Sequence, residues 1–321
     1  MKIVETVKFW INNARPYSVP MTFLSWLVAF AYSVKAGGNI YCGLIALFGI
    51  VLVHLSTNLS DDYFDFKRLS CDKKFMDNSK EIKCRYIRNG QATIEDLRNV
   101  IIIMLSVAAL CGVILFFCSG WWVVFFAAAV LPIALLYSKL SSKGFGDLAV
   151  ILAYGPLMFE GIFYVMTKNL SLDVLILSLA CSMFVNAVLY AHMLMDFDED
   201  VCSSKRTLCT IFKTKDKALK FMLLFYIVGY LFILLLALKS GNYYYLVPFV
   251  TVPLVADLFN MLKKYNEDKN DLPVPQPWHY PLDNWETVKQ SPNASFFLRF
   301  MFARNISTWF MLCVCFALMI S

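Results

Sequence analysis

Nine long apolar runs are the feature that most limits what this 321-residue chain can fold into. A run of this kind can cross the roughly 30 Å hydrocarbon core of a bilayer, and its backbone groups then need hydrogen-bond partners within the same segment. Only 16% of the residues are charged, against about 25% in soluble domains. The runs are Val19–Val34, Ile40–Ser60, Val100–Cys118, Trp121–Tyr137, Leu148–Met166, Val174–Leu194, Ala218–Leu238, Tyr243–Leu262 and Phe296–Ile320. We therefore predict an all-α polytopic membrane protein with nine transmembrane helices.

Lysine and arginine are distributed unevenly between the two sides of such a bundle. With nine crossings, the N-terminus and the loops after helices two, four, six and eight lie on one side. That side carries 26 of the 29 basic residues, and only Lys35, Lys168 and Lys239 lie on the other. The positive-inside rule then predicts a cytoplasmic N-terminus. We interpret the net charge of +6 as a result of this uneven distribution and not as a sign of nucleic-acid binding. The expected partner is therefore the lipid bilayer.

Two acidic clusters lie at predicted cytoplasmic ends of helices. The stretch "NLSDDYFDF" ends the second run and places Asn58, Asp62 and Asp65 on one helical face. The stretch "DFDED" ends the sixth run and places Asp196 and Asp200 four residues apart, hence again on one helical face. Carboxylates at the edge of hydrocarbon are costly and mark a functional site by default.

The matching positions of these clusters suggest an internal repeat. Two four-helix units, residues 1–140 and 145–262, would be followed by a ninth helix at 296–320, all within a single domain over 1–321. The acidic faces of the two units would then meet at a central chamber, because sites commonly form where repeats meet.

Facing carboxylates repel each other in a low dielectric, so a cation must lie between them. Carboxylate and amide oxygens suit Mg²⁺, which is usually shared with substrate phosphates, and nearby Lys and Arg can hold the remaining phosphate charge. This chemistry indicates diphosphate binding and departure. Asp198 and Glu199 are off the shared face, and we interpret them as solvated residues. The predicted metal ligands are Asn58, Asp62, Asp65, Asp196 and Asp200, and the four aspartates are also the predicted catalytic residues.

Five stretches, in this order, resemble the UbiA-type intramembrane aromatic prenyltransferases. They are "ARPYSVP", "NLSDDYFDF" with Asp72 beyond it, "RNGQAT", "LYSKLSSKGFGDLAVILAYGP" and "DFDED". The resemblance covers nearly the whole chain. It implies an enzyme that uses Mg²⁺ to transfer a prenyl chain from a prenyl diphosphate to an aromatic small molecule. It also implies a bacterial-type inner membrane, with the active site near the cytoplasmic face.

The resemblance further implies substrate-binding residues. His192 is assigned to orienting the acceptor, with a hydrogen-bonded bundle histidine as the alternative, and for Lys143 the alternative is anchoring at the membrane surface. The implied substrate-binding residues are Asn58, Arg15, Tyr137, Lys143, His192, Lys205 and Arg206.

Local details within the family bear on the acceptor. The form "DYFDF" with Asp72, and "KRTL" beginning at Lys205, are similar to the 1,4-dihydroxy-2-naphthoate prenyltransferases of menaquinone synthesis. Asp61 stands where that subgroup usually has Asn, "LSCD" lacks a usual glycine, and the stretch 266–293 is longer than expected. Prenylation of 4-hydroxybenzoate or a homogentisate-like ring therefore stays open as an alternative.

A different class of function also stays open, because a cation-coupled transporter would carry buried acids on a repeated bundle too. A heme-modifying farnesyltransferase is disfavoured, because the chain has three histidines. The pattern specifies neither the prenyl chain length nor the oligomeric state.

Overall fold

The computed structural model describes residues 2–70, 84–202 and 206–320. Within these ranges the regular structure is helical, which confirms the predicted all-α class. In chain order the α-helices are α1 (Lys2–Asn13), α2 (Val19–Lys35), α3 (Ile40–Leu69), α4 (Arg85–Arg88), α5 (Ile94–Ser119), α6 (Trp122–Ser142), α7 (Gly146–Leu152), α8 (Met158–Thr167), α9 (Leu172–Met195), α10 (Phe197–Cys202), α11 (Lys215–Ser240), α12 (Val252–Glu267), α13 (Trp285–Val288) and α14 (Ala294–Ile320).

Eight helical stretches in the described ranges are long and apolar enough to cross a membrane. The apolar part of α6, Trp122–Tyr137, is shorter and corresponds to the remaining predicted run. The multi-pass membrane class is therefore confirmed, while the count of nine and the side of the N-terminus stay predictions. The eight stretches are Pro16–Lys35, Ile40–Leu69, Ile94–Ser119, Gly146–Thr167, Leu172–Met195, Lys215–Ser240, Tyr243–Glu267 and Ala294–Ile320.

Helix α3 is longer than its apolar run. The Asn39 side chain caps it by accepting hydrogen bonds from the backbone N–H groups of Tyr41 and Cys42. Its 30 residues span about 45 Å, which exceeds the roughly 30 Å of hydrocarbon. Leu59 is fully buried and Phe66 packs against the same apolar cluster, so the helix continues beyond Ser60. The acidic stretch is therefore helical throughout.

Helix α9 forms the centre of the bundle. Buried residues make up 83% of its apolar window, the largest share among the candidate spans, and α2, α11 and α14 pack around it. Phe184 of α9 stacks on Phe310 of α14 with ring centroids 3.6 Å apart. On α11, Gly229 lets Phe184 approach, because a Cβ at that glycine would lie 2.7 Å from the ring. In contrast, α5 turns large apolar side chains outward, as lipid-facing helices do.

A single π-helical turn, Ala153–Leu157, separates α7 from α8. Pro156 has no N–H to donate, and Gly155 departs from helical geometry at φ −105° and ψ −112°. A Cβ at Gly155 would lie 2.8 Å from Ser182 Oγ, so glycine also permits close packing on α9. Such turns kink a helix and are frequent at functional sites.

The cap segment, residues 268–293, folds back along α12 and α14. Arg299 is fully buried and donates hydrogen bonds to the Met261 carbonyl at 2.8 Å and to Asp271 Oδ2 at 2.6 Å. Arg304 pairs with Asp283 Oδ2 at 2.8 Å. In the sequence this stretch was notable only for its length. In the structure the buried Arg299 and Arg304 hold it in place.

Candidate active site

A cavity of about 1750 Å³ lies among α2, α3, α5, α6, α8, α9 and α14. Apolar residues such as Ile50, Leu115, Phe126 and Val185 line much of its wall. Its polar residues are concentrated where α3 and α9 end, and the cap segment contributes Asp283 and other residues to that part of the wall. One cavity therefore joins a charged end to a long apolar chamber, as the predicted central chamber requires.

The first acidic cluster occupies one face of α3. Asn58, Asp61, Asp62 and Asp65 all line the cavity, which confirms that the predicted residues share a face. The side chains of Asp62 and Asp65 are nearly buried, at 5% and 4% exposure. The structure therefore places three of the predicted metal ligands together on the cavity wall.

Arg15 bridges two of these carboxylates. Its guanidinium donates to Asp61 Oδ2 at 3.2 Å and to Asp62 Oδ1. Burial lowers the pKa of Arg15, but the negative charges of Asp62 and Asp61 raise it by more than burial lowers it, so the pKa lies above its ordinary value. Asn58 holds the turn that presents Arg15, because its Nδ2 donates to the Ala14 carbonyl at 2.9 Å and to Ser18 Oγ at 3.1 Å.

Two further residues hold the cluster, Tyr86 from α4 and Arg68 from α3 itself. The Tyr86 hydroxyl donates to Asp62 Oδ2 at 3.2 Å. Burial, and then the charge of Asp62, raise the pKa of Tyr86, so it stays a neutral donor at physiological pH. Arg68 contacts Asp65 Oδ1 at 2.7 Å, one turn along the same helix. Asp62 thus receives hydrogen bonds from two sides, which fixes its carboxylate.

The second acidic cluster is built at a helix junction. We expected the sixth helix to continue through Asp200, and this is wrong: α9 ends at Met195 and α10 begins at Phe197. Asp196 lies between them at φ −87° and ψ 6°, outside helical geometry, although the Asp200 N–H still donates to its carbonyl at 2.9 Å.

The acids of this junction have separate surroundings. Asp196 lines the cavity, and its Oδ2 lies 3.1 Å from His192 Nδ1. Asp200 is buried and does not line the cavity, so the structure does not bring it to the other predicted ligands. Glu199 lines the cavity and is exposed, so it remains compatible with its interpretation as a solvated residue.

Asp198 does not line the cavity. It pairs with Lys215 at 2.6 Å and with Lys269 at 3.2 Å. The hydrogen bond from Lys215 is the main cause that lowers its pKa.

The remaining predicted substrate-binding residues divide into two groups. Tyr137 and His192 line the cavity, and the His192 ring packs edge-on against Phe296 at 5.1 Å. The backbones of Lys143 and Arg206 instead form an isolated parallel β-bridge, and neither residue lines the cavity. Lys205 and Asp72 lie outside the described residues.

The donor set at the charged end fits a hard cation that is shared with a bound phosphate. No three Asp, Glu, His or Cys side chains in the described ranges are grouped closely enough to hold a metal by themselves. Mg²⁺ usually takes only one or two carboxylates and completes its shell with water and substrate phosphates. The carboxylates of Asp62, Asp65 and Asp196 on two walls of one cavity suit that mode of binding.

Comparison with known proteins identifies the family. Residues 21–273 match the sequence model of the UbiA prenyltransferase family. The chain belongs to that family. It is therefore a prenyltransferase, as the resemblance implied.

Relatives of this UbiA-family protein include two bacterial enzymes named 1,4-dihydroxy-2-naphthoate octaprenyltransferase. The Haemophilus influenzae enzyme is 24% identical over 220 residues, which cover 64% of this chain and 70% of the relative. The Bacillus subtilis enzyme is 22% identical over 249 residues, covering 74% and 77%.

Solved structures share the UbiA fold. A UbiA homolog from Aeropyrum pernix superposes with a TM-score of 0.62 at 13% identity, covering 91% of this chain and 98% of the other. A homolog from Archaeoglobus fulgidus bound to DMAPP and Mg²⁺ gives 0.59 at 12% identity, covering 97% and 99%.

Several cavity residues of this UbiA-family protein were not found by sequence reasoning. Tyr86 and Arg85 lie in the stretch "RYIRNG", and both line the cavity. The signal available was their position directly before the recognised "RNGQAT" motif. On the apolar part of the wall, Tyr154 lies within the recognised stretch "LYSKLSSKGFGDLAVILAYGP" but was not singled out, and His54 gave no signal beyond its residue type.

Proposed function

We propose that the protein transfers a prenyl chain from a prenyl diphosphate to an aromatic acceptor in a Mg²⁺-dependent reaction, with 1,4-dihydroxy-2-naphthoate as the acceptor. The observation that carries this proposal is that the charged end and the apolar chamber belong to one continuous cavity. An amphiphile with a diphosphate head and a hydrocarbon tail matches that division. The names of the two bacterial relatives support the acceptor, and the DMAPP and Mg²⁺ of the Archaeoglobus structure support the head group and the metal.

The diphosphate is held at the charged end. Arg15, Arg68 and Arg85 line this part of the cavity, and guanidinium groups bind phosphate oxygens in a bidentate manner. When bound, Mg²⁺ neutralises the charge that develops on the leaving diphosphate. The proposed metal ligands and catalytic residues are Asp62, Asp65, Asp196 and Asp200, with Asn58 as a further metal ligand. Asp200 lies on the short helix α10 outside the cavity, so it would reach the metal only if α10 turned towards the cavity on substrate binding.

The proposed reaction is an electrophilic substitution on the aromatic ring. The bond between the allylic carbon and the diphosphate oxygen breaks, and its electron pair leaves with the diphosphate. A ring carbon then supplies the pair for the new carbon–carbon bond, and the ring loses a proton from that carbon. Apolar walls keep water from the allylic cation. Tyr137 and His192 line the cavity where the acceptor would lie, while Lys143, Lys205 and Arg206 are proposed to act from the adjoining loops.

The test is product formation by the purified protein in detergent or liposomes. Prenyl diphosphates of several lengths are combined with 1,4-dihydroxy-2-naphthoate, 4-hydroxybenzoate or homogentisate, and products are identified by mass. We expect prenylated 1,4-dihydroxy-2-naphthoate. A product with another ring would move the acceptor assignment, and no product with any ring would defeat the proposal. Cation uptake into liposomes tests the transporter alternative in the same preparation.

The membrane orientation is also a proposal. We infer nine crossings, a cytoplasmic N-terminus and an active site near the cytoplasmic face of a bacterial-type inner membrane, because 26 of the 29 Lys and Arg residues then lie on one side. A reporter fused after Ser321 should be active outside the cytoplasm. A cytoplasmic signal from that fusion would reject this orientation.

A further inference from the structure

A cluster of four hydrogen-bonded side chains interrupts the apolar wall of the cavity. It consists of Ser18, Thr22, His54 and Tyr154, and all four line the cavity. His54 lies on the same side of α3 as the first acidic cluster, four residues before Asn58. The rise of a helix therefore places it about 6 Å from the level of Asn58, deeper in the bundle.

The hydrogen bonds of this cluster assign the imidazole tautomer. Ser18 Oγ donates its one proton to the Arg15 carbonyl at 2.8 Å. It can therefore only accept from His54 Nε2, which lies 2.7 Å away. With His54 neutral, its Nδ1 is then an acceptor.

The other two hydroxyls complete the cluster. Tyr154 and Thr22 lie 2.7 Å and 2.6 Å from His54 Nδ1, and 3.1 Å from each other. One hydroxyl donates to Nδ1 and the other donates to its neighbour, whichever way the pair is oriented. Both protons are thereby used inside the cluster, while lone pairs on the hydroxyl oxygens remain. The cluster can accept a hydrogen bond from a ligand but has no proton left to donate.

A local irregularity in the helix positions the tyrosine of this cluster. Tyr154 lies in the π-helical turn Ala153–Leu157, which interrupts the helix between α7 and α8. A π turn shifts the side chains that follow it around the helix axis, and such turns are frequent at functional sites. Thr22 is only 1% exposed, whereas His54 and Tyr154 are half-buried and therefore more open to a ligand in the cavity.

We infer that Tyr154 and His54 form the binding point for a ring hydroxyl of the aromatic acceptor. This inference rests on the proposed function. A phenolic hydroxyl is a hydrogen-bond donor and fits the cluster, whereas a carboxylate has only lone pairs and does not. Donation from that hydroxyl leaves more electron density on the ring, which favours attack on the allylic carbon. The site lies deeper than the metal ligands, so it fixes the ring without contacting the diphosphate end.

The experiment compares binding of two stable probes, 4-hydroxy-2-naphthoate and 4-methoxy-2-naphthoate, to the purified protein by calorimetry. In both the substituent is too far from the carboxylate for an internal hydrogen bond, so the probes differ in the donor proton and its methyl replacement. We expect the wild type to bind the hydroxyl compound about tenfold more tightly, the upper range for one neutral hydrogen bond. In Tyr154→Phe this ratio should fall towards one. Tyr164→Phe is the matched control, since that hydroxyl donates to the Ser119 carbonyl at 2.7 Å and does not line the cavity.

A second variant tests the same point if Tyr154→Phe lowers protein yield. His54→Gln keeps a nitrogen donor for Ser18 and removes the Nδ1 acceptor, so it should also reduce the probe ratio. In turnover assays, both variants should raise the KM for the acceptor about tenfold and change the KM for the prenyl diphosphate less than twofold. An unchanged probe ratio, or equal changes in both KM values, would overturn the inference. Wild-type protein that transfers no prenyl group to any ring would instead show that the proposed function has failed, and the inference with it.

Discussion

The two acidic clusters have similar sequences and different structures. The first lies on a continuous helix, so Asn58, Asp62 and Asp65 all face the cavity, with Arg15 and Tyr86 holding them. The second lies where one helix ends and another begins, and its acids point in different directions. Equal spacing in sequence therefore gives equal geometry only while the helix continues. We expect the first cluster to be fixed before substrate binds, and the second to adjust.

The largest expected effect is loss of the cation that the two clusters are proposed to share. Excess chelator should reduce prenyl transfer to background, and added Mg²⁺ should restore it, because neither wall has enough ligands alone. The measurement is product formation by purified protein. Its control is the melting temperature in chelator, which shows whether the protein stays folded. Full transfer in excess chelator would mean that the clusters act without a shared metal.

Single substitutions on each wall should be nearly as severe. Asp62→Asn and Asp196→Asn should each lower kcat by about 10²–10³, the usual cost of losing one group that stabilises transition-state charge. Asp62→Asn should be the worse of the two, since Asp62 also organises Arg15 and Tyr86. Transfer is measured in membranes at matched expression. An Asp62→Asn variant with near-normal turnover would show that the ordered cluster is not the catalytic one.

Asp200→Asn should have an intermediate effect. Its side chain is buried in α10 beside the junction and does not line the cavity, so the substitution acts on Asp196 by altering the packing of the junction. We expect a loss of about tenfold, comparable with the loss of one buried hydrogen bond. A loss as large as that of Asp196→Asn would indicate that α10 turns towards the cavity when substrate binds. Activity equal to the wild type would remove Asp200 from the proposed metal ligands.

The smallest effect should come from Asp198→Asn, which is the matched control for the other three. The Asp198 side chain is 48% exposed, does not line the cavity and pairs with Lys215 and Lys269, so turnover should change less than twofold. The pKa of Asp198 is lower in the folded protein than in the unfolded chain, so its ion pairs stabilise the fold at pH values above the unfolded pKa of about 4. This stabilisation is lost as the pH falls through the folded pKa of Asp198. Thermal unfolding at pH 7 and pH 3 should therefore differ slightly less in the variant. Strong inactivation would contradict the geometry described for α10.

Sequence alone predicted what depends on local periodicity. Apolar runs located eight long spans, and the spacing of Asn58, Asp62 and Asp65 on α3 was sufficient to place them on one face. Spacing did not predict the geometry at Asp196, where α9 ends and α10 begins. The sequence gives no sign of this break, because the apolar Phe197 continues the pattern of the helix before it. Tyr86 and His54 were missed for a different reason. Their roles depend on contacts between residues far apart in sequence, which no local pattern records.

The cap segment has a consequence for how selectivity can vary among sequences of this kind. Asp283, Val288 and Ser291 of the cap form part of the cavity wall, yet they lie beyond residue 273, where the family match ends. The cap is held by Arg299 and Arg304 of α14, and it contacts the second acidic stretch through Lys269 and Asp198, which is not a proposed metal ligand. Insertions or substitutions in the cap can therefore reshape the mouth of the chamber and leave the carboxylates in place. Under the proposed function, the choice of aromatic ring could then change between related sequences without changing the groups that act on the diphosphate.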